Sequence, residues 1–460
     1  MNSANRSDRH PTRPWRALIF QRHIRRMRFL VGEDLTRTYA RHLRKWLILA
    51  PIVGVITGLA ISGIAVVVLD KLWPAVLNFY LKRHWAIVPG LVLGSVLAGL
   101  IMQWLTPDPN QHSTDEVIRS YHERRGRMDL RSFFPKIAAS IATVGFGGSA
   151  AMEGPSIYCG GAIGAWLWNR LHRFYLSERE RRIMLICGAA AGMSAIFRAP
   201  LTGLIFALEM PYLDDLVPEA LAPSLIASVV AYVTLSSVLG AKPLFSFHST
   251  DAYSREDLYW SALLGLIIGL IAMLFVITFH RVRSFVVRVH MPHWIKMGIG
   301  GLLTGVCGVA FLWLYPGRLI PLGPNYEAVR TILNQHHTTA ELLSFAVFKL
   351  GATLATLGAG GVSAMFVPLF LTGGSLGTAF AQSIVHSANP SLYAAAGMAA
   401  FLSAGYKTPL AASAFVAEAI GGHAFLVPAL IAAAVAYVVS GDASASSEQR
   451  LLTAPHVTNA

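Results

Sequence analysis

The chain has 460 residues, of which 54% are hydrophobic and 13% charged. A soluble domain carries about 25% charged residues, so the composition excludes a soluble globular protein and places the chain in the polytopic membrane class. The net charge of +14 is concentrated: residues 1–45 hold twelve Arg and Lys against three acids.

That basic segment runs directly into a spanning candidate at Trp46–Asp70. It reads as a cytoplasmic N-terminal tail obeying the positive-inside rule, not as a nucleic-acid-binding arm. Its Arg-, Asn- and Pro-rich start reads as disordered, and contact with membrane lipids is expected of it. The long basic stretch leads into a full-length span and does not have the form of a cleavable signal peptide. Apolar stretches follow at roughly 46–69, 85–105, 137–151, 183–209, 219–240, 258–279, 296–314, 342–358, 364–384, 392–404 and 408–440. Several are shorter than the roughly 20 residues a spanning helix needs. Broken helices survive at that depth only where protein buries them or where they line a cavity. Between them, 106–132 is polar and reads as a loop, and Asn169–Arg182 as another. Cys159, Cys187 and Cys307 lie in apolar sequence without metal spacing and read as buried single thiols.

The chain repeats itself. At an offset of 213, Lys136, Ala142-Thr143, Gly145, Gly147, Gly148, Gly160-Gly161 and Gly164 match Lys349, Ala355-Thr356, Gly358, Gly360, Gly361, Gly373-Gly374 and Gly377. At an offset of 209, Gly188, Ser194-Ala195, Arg198, Pro200-Leu201, Phe206 and Glu209 match Gly397, Ser403-Ala404, Lys407, Pro409-Leu410, Phe415 and Glu418. The organisation that follows is a basic tail (1–45), a first membrane repeat (46–240), a second (255–441) and a polar C-terminal tail (442–460). Paired apolar segments interrupted by Gly and Pro, one in each half, point to a transporter site built from discontinuous helices.

The chemistry concentrates in two matching segments. Ala151-Met152-Glu153-Gly154-Pro155 lines up with Ala364-Met365-Phe366-Val367-Pro368. Pro is favoured at the start of a helix, where its missing N–H costs nothing. Each segment therefore predicts a helix N-terminus whose free amides and positive dipole end attract an anion. Two such ends near the bilayer centre hold a small anion without the full charge that would trap it. Glu153 is the one acid there, and an intramembrane carboxylate is a functional hypothesis by default. Ionised, it would occupy the anion's own place; protonated, it would leave it. A helix-capping carboxylate is the alternative. Glu209 and Glu418, duplicated near helix ends, read first as caps or ion-pair partners of Arg198 or Lys407, with Glu209 as a proton acceptor the sharper reading. Lys136 and Lys349 read as snorkelling residues at helix ends.

On these motifs the chain resembles the CLC family of chloride channels and proton/chloride exchangers, of the bacterial type without CBS domains. Ala151–Pro155 stands for the family's G-R/K-E-G-P, and Ala364–Pro368 for its G-x-F-x-P, over about 46–441. The resemblance implies an all-α polytopic fold, an inverted repeat of tilted and broken transmembrane helices, and a homodimer with one pore per subunit. It implies a multi-pass protein of the bacterial plasma membrane, with chloride as transported ligand, protons as a second partner, no cofactor and no enzymatic role. By it, Glu153 is the gating glutamate. The anion-binding set is His112, Ser113, Gly154, Pro155, Met365, Phe366 and Val367.

The chain also departs from the family. Gln111-His112-Ser113-Thr114-Asp115 replaces G-S-G-I-P, so the anion-coordinating Ser falls on His112 or, one residue on, Ser113. A His there donates N–H and titrates near neutrality; a loop or cap role is its bland alternative. Met210 stands where exchangers carry an internal acid, and the pore Tyr expected near Gly441–Ser446 is missing. These departures lean to a channel-like or weakly coupled anion pathway gated by Glu153. The alternatives are a proton-coupled exchanger with a non-standard internal proton route, with Glu209 as its relay, or a broken-helix transporter for another small solute. A fluoride-specialised member is a further variant. An intramembrane hydrolase using Ser149 with His280, His386 or His423 is a weaker reading, because the repeat explains the glycines without catalysis.

Overall fold

A computed structural model describes residues 44–110, 113–172, 177–241, 245, 253–316, 321–334, 337–420 and 423–452. Ala50–Ala460 cluster into one compact unit; the part of the chain before it is a separate unit, of which only 44–49 are described. The described residues are mainly helical, with no strand beyond isolated bridges among them. The first repeat supplies α1 (Arg44–Lys82), α2 (Ile87–Leu105), α3 (Ser113–His122), α4 (Phe133–Gly145), α5 (Glu153–Leu171), α6 (Glu178–Phe197), α7 (Pro200–Glu209) and α8 (Leu221–Leu239). The second supplies α9 (Arg255–Arg288), α10 (His293–Leu314), α11 (Glu327–Asn334), α12 (Thr339–Gly358), α13 (Phe366–Phe380), α14 (Pro390–Tyr406), α15 (Pro409–Ala419) and α16 (Leu426–Val439).

Local chemistry fixes these boundaries. Ser177 and Ser254 each form a capping box, with Glu180 and Asp257 as the return partners. Pro opens α7, α14 and α15. Within α1 the register loosens to a π-turn at Val66–Leu72. Pro74 follows directly and has no N–H to give to the turn before it.

Among the described residues, six helices are long and apolar enough to cross a membrane: α1, the Pro218–Leu239 segment containing α8, α9, α10, α12 and the His84–Leu105 segment containing α2. Their outer faces expose Leu93, Trp104, Leu274, Trp313 and Val347, as a lipid-facing surface requires. By contrast α5, α6, α13 and α14 are buried on almost every side.

The repeated glycines lie where the buried helices cross. A Cβ built on Gly160 of α5 would lie 1.9 Å from the Gly188 carbonyl oxygen of α6, and one on Gly373 of α13 would lie 2.2 Å from the Gly397 carbonyl of α14. Backbones touch at both crossings, the packing that small residues permit in membranes. Gly160→Ala forces α5 off α6, at an overpacking cost of about 1–3 kcal/mol or more. We expect a clearly lowered thermal midpoint in detergent, and an unchanged midpoint would refute the contact.

The matching of α7 and α15 fixes the relation of the repeats. Glu209, the last residue of α7, accepts hydrogen bonds from the Leu410 and Ala411 amides at the start of α15, at 3.1 and 2.9 Å. Glu418, near the end of α15, accepts from the Leu201 and Thr202 amides at the start of α7, at 2.9 and 2.8 Å, and from the Thr202 hydroxyl. Each carboxylate caps the other helix, so the two run antiparallel and the repeats are inverted. Removing one cap with Glu418→Ala costs about 1–2 kcal/mol. A chemical-denaturant series should show the loss, and an unchanged midpoint would make the reciprocal caps incidental.

Three regions differ from the sequence reading. The polar stretch 106–132 contains α3, whose Ser113–Ile118 are all buried. Lys136 and Lys349 do not snorkel: both are buried, Lys136 on Glu116 and Lys349 on the carbonyls of Pro321 and Gly323. Lys136 sits in the first turn of α4 and Lys349 in the middle of α12, and both face protein rather than the lipid edge. The start of the stretch read as a polar tail, 442–450, packs into the unit, with Ser444, Ala445 and Ser446 buried. Its hydroxyls and amides find buried polar partners, so its polarity does not mark it as solvated. The basic segment 1–43 and His112 lie outside the described residues.

Candidate anion site

The chain breaks between α4 and α5, and again between α12 and α13, and the two breaks lie against each other. Gly147 and Gly360 turn the chain with φ of 101° and 103°, values that favour glycine. Ala151 and Ala364 then pair as an antiparallel bridge, N–H to O 2.9 Å one way and 3.4 Å the other. The Ser363 hydroxyl also donates to the Ala151 carbonyl. Beside them Gly154 lies under the Ala364 methyl, where a Cβ would come within 2.8 Å. The N-termini of α5 and α13 are thereby clamped together.

At that junction the Glu153 side chain crosses from α5 to α13. Its Oε1 accepts the Phe366 amide at 2.7 Å, while Oε2 is buried and makes no hydrogen bond. The neighbouring amide of Met365 donates to the Tyr406 hydroxyl at 3.0 Å. The free amides anticipated at the start of α13 are thus held by one carboxylate and one phenol. A phenol that accepts from an amide retains its own O–H as a donor.

Tyr406, Met365 and Ser363 face a cavity of about 30 Å³, with Thr114, Asp115 and Ser446 on its other walls. That is room for about one small ion or water. The Thr114 hydroxyl is buried without a partner. The Tyr406 phenol and the Thr114 hydroxyl, both still able to donate into so small a space, suit an anion. Phe366 itself is packed between Phe197, Phe206 and Phe415, with ring centroids at 4.9, 5.7 and 5.0 Å.

A second, larger cavity of about 470 Å³ is lined by Asp70, Trp73, Asn78, Arg198, Tyr326 and Arg330. Tyr326 lies within electrostatic reach of Glu153. Arg198 precedes the start of α7 and Tyr406 precedes the start of α15, and these helices are antiparallel. The two cavities therefore lie toward opposite ends of the α7–α15 pair.

The structure brings Glu153, Gly154, Pro155, Met365, Phe366 and Val367 together, all buried at the facing helix ends. Ser113 is buried with an unpartnered hydroxyl, but the residues of α3 on the cavity wall are Thr114 and Asp115. Glu209 lies apart, capping α15, and Met210 is buried beside it. Sequence reasoning missed Thr114, Asp115 and Tyr406. A signal for Tyr406 exists: it matches Phe197 at the offset of 209, just before the matched Arg198 and Lys407. The Ser149 hydroxyl is bonded to the Thr353 hydroxyl at 2.9 Å.

The family model described as voltage gated chloride channel matches residues 94–441. The chain belongs to this family. It is accordingly an integral, multi-pass membrane protein of an anion-transporting family. Among curated relatives, the chain is 25% identical over 370 residues to "Putative chloride channel protein ClcB-like" of Ralstonia nicotianae, covering 79% of this chain and 84% of that one. It is 27% identical over 428 residues to "H(+)/Cl(-) exchange transporter ClcA" of Yersinia pestis, covering 88% and 85%. Among solved structures, a CLC-type fluoride/proton antiporter superposes with a TM-score of 0.77 at 23% identity, over 89% of this chain and 98% of that one. A slow cyanobacterial Cl-/H+ antiporter gives 0.75 at 22% identity, over 86% and 94%. These superpositions place the family fold over both inverted repeats.

Proposed function

We propose that the chain carries chloride across the membrane through one pathway per subunit, with Glu153 as its proton-operated gate. The observation that carries this reading is the Glu153 carboxylate seated on the Phe366 amide, where the facing helix ends would otherwise bind an anion. Ionised Glu153 competes with chloride. Once protonated, it is a weaker acceptor and leaves the amide to the anion, so proton uptake and anion entry are linked. Gly154, Pro155, Met365, Phe366 and Val367 shape the seat, and Tyr406 and Thr114 supply donors on one side of it. Relatives named as H(+)/Cl(-) exchange transporters support chloride and protons as the transported pair.

Exchange is favoured over a free channel because Glu153 is buried on the Phe366 amide and relatives are named as exchange transporters. The channel-like reading keeps two arguments, the absence of an acid at Met210 and of the pore Tyr near Gly441–Ser446. We further propose a homodimer in a bacterial plasma membrane, with the basic 1–45 segment on the cytoplasmic side, supported by the charge asymmetry of the sequence. Proteoliposomes holding a chloride gradient, with external pH recorded, test the assignment. Chloride efflux that drives protons uphill is expected. Chloride efflux without proton movement would mean a gated channel, and no chloride flux would defeat the choice of anion.

A further inference from the structure

The end of α9, the start of α10 and the end of α12 frame an apolar crevice of about 330 Å³ that shares no wall residue with the anion site. Val282, Phe285 and Val286 of α9, Ile299 and Leu303 of α10, and Leu354 of α12 form its walls. Its floor is the close crossing of α10 on α12, where a Cβ on Gly300 would lie 2.6 Å from the Ala355 carbonyl oxygen. Lys296 is the one charged residue on the wall. Its ammonium lies 3.5 Å from the Val287 carbonyl, a long contact that leaves it donors to spare. Phe285, 68% exposed, is the outer lip. Arg281 and Arg288 stand four residues before it and three after it, and so share its face of α9. Both are exposed, and neither makes a hydrogen bond or ion pair with a described residue. Arg283, on another face, is turned to Asn110 and Asp115. Between Asp257 and Glu327 the sequence holds no acid.

The crevice lies at the basic end of the protein. His280 contacts the Ser444 carbonyl at 2.6 Å, and the same C-terminal segment pairs Glu448 with Arg119 and Arg450 with Glu123. Gly126 in turn lies on Arg181 and Arg182, where a Cβ would come within 3.0 Å of either backbone. The basic clusters at 122–131, 178–182 and 280–288 therefore gather at one end. The positive-inside rule assigns that end to the cytoplasm, where the membrane leaflet carries anionic lipid. The crevice opens toward the lipid, since Ile299 and Leu303 are exposed.

We propose that this crevice binds an anionic phospholipid of the cytoplasmic leaflet, with an acyl chain between α9 and α10 and the phosphate on Arg288 and Lys296. Arg281 adds to the positive field at the lip. Charge complementarity selects the occupant. A guanidinium and an ammonium hold a phosphodiester, whereas a zwitterionic lipid brings a cation of its own to repel them. The position also gives the lipid a lever on the anion site. Ala355 and Ala359 on the crevice wall belong to the end of α12, and Val282 packs on Gly358, 3.1 Å from where its Cβ would be. The chain turns at Gly360 directly afterwards, and that turn sets the start of α13. A filled crevice braces this turn.

The test reads lipid binding, so it stands whichever anion the protein carries. The full chain, purified in neutral detergent, is titrated with phosphatidylglycerol or phosphatidylcholine, and retained lipid is counted by native mass spectrometry. Wild type retains phosphatidylglycerol in preference. The double variant Arg288→Gln with Lys296→Gln loses about tenfold of that preference. Val286→Trp, which fills the crevice and leaves the charges in place, loses the retained phosphatidylglycerol. A wild-type thermal midpoint confirms that each variant is folded. Equal retention of the two lipids by wild type reduces the crevice to ordinary lipid contact and overturns the proposal. A preference that survives in both variants places the lipid elsewhere and overturns it too, and so does a crevice closed by a second copy, which retains neither lipid. Inorganic phosphate that displaces the lipid at equal concentration overturns the acyl-chain half, leaving an ion site. In liposomes, adding phosphatidylglycerol to phosphatidylcholine raises wild-type anion flux severalfold and leaves the double variant unchanged. An equal rise in both overturns the link to the Gly360 turn.

Discussion

We expect Glu153→Ala to transport chloride at a rate that no longer varies with pH and to move no protons. In the wild type the carboxylate occupies the Phe366 amide at 2.7 Å, so an anion reaches that amide only when Glu153 leaves. Acidification favours leaving, because protonation removes the charge that the helix end attracts. The sign follows: flux rises as pH falls and is suppressed as pH rises. Above its midpoint, a single carboxylate gains protonated fraction about tenfold per pH unit, so the wild-type dependence is steep over that range. Alanine removes both the competitor and the proton carrier. Glu153→Gln is the informative companion, since its amide oxygen still accepts from Phe366 but has no protonation equilibrium. It gives slower flux than alanine, equally flat in pH. Radioactive chloride efflux at a series of external pH values reads both. A folded Glu153→Ala with the wild-type pH profile would place the gate elsewhere.

Tyr406→Phe weakens chloride binding and leaves the pH gate intact. The phenol accepts the Met365 amide at 3.0 Å and has its own O–H to offer the cavity. Phenylalanine keeps the ring packing against Phe206 and Phe366 while removing both hydrogen bonds. A hydrogen bond to a charged partner contributes about 1.5–3 kcal/mol, which corresponds to about tenfold or more in affinity. The chloride concentration for half-maximal flux should rise by that factor. The contrast with Glu153→Ala is diagnostic: one variant loses affinity and keeps pH dependence, the other loses pH dependence. Half-saturation at the wild-type concentration would remove Tyr406 from the anion's coordination.

What the sequence made legible were features carried by local chemistry and by duplication. The offset of 213 exposes the two helix starts at Glu153 and Phe366, and Pro155 and Pro368 say where the helices begin. The reciprocal caps of Glu209 and Glu418 follow from acids duplicated at helix ends. Other features depend on which segments meet. Tyr406 reaches Met365 across 41 residues, and Ser446 reaches Asp115 across 331. No periodicity within either segment encodes those meetings. Helix α3 was hidden because its residues are polar, while its burial comes from α5 and α6 around it. The lysines misled for a related reason: a charge in apolar sequence reads as snorkelling, yet Lys136 has Glu116 brought to it from another helix. The pore Tyr expected near Gly441–Ser446 is missing from the sequence, while the structure sets Tyr406, from the end of α14, on the Met365 amide.

The central claim is that Glu153 and chloride compete for one helix end. The most direct measurement is chloride binding to the detergent-purified protein by titration calorimetry, at a series of pH values, for wild type and Glu153→Ala. The account predicts wild-type affinity that rises as pH falls and an affinity in Glu153→Ala that is tighter and flat. Wild-type chloride affinity independent of pH, with Glu153→Ala binding no tighter, would contradict it.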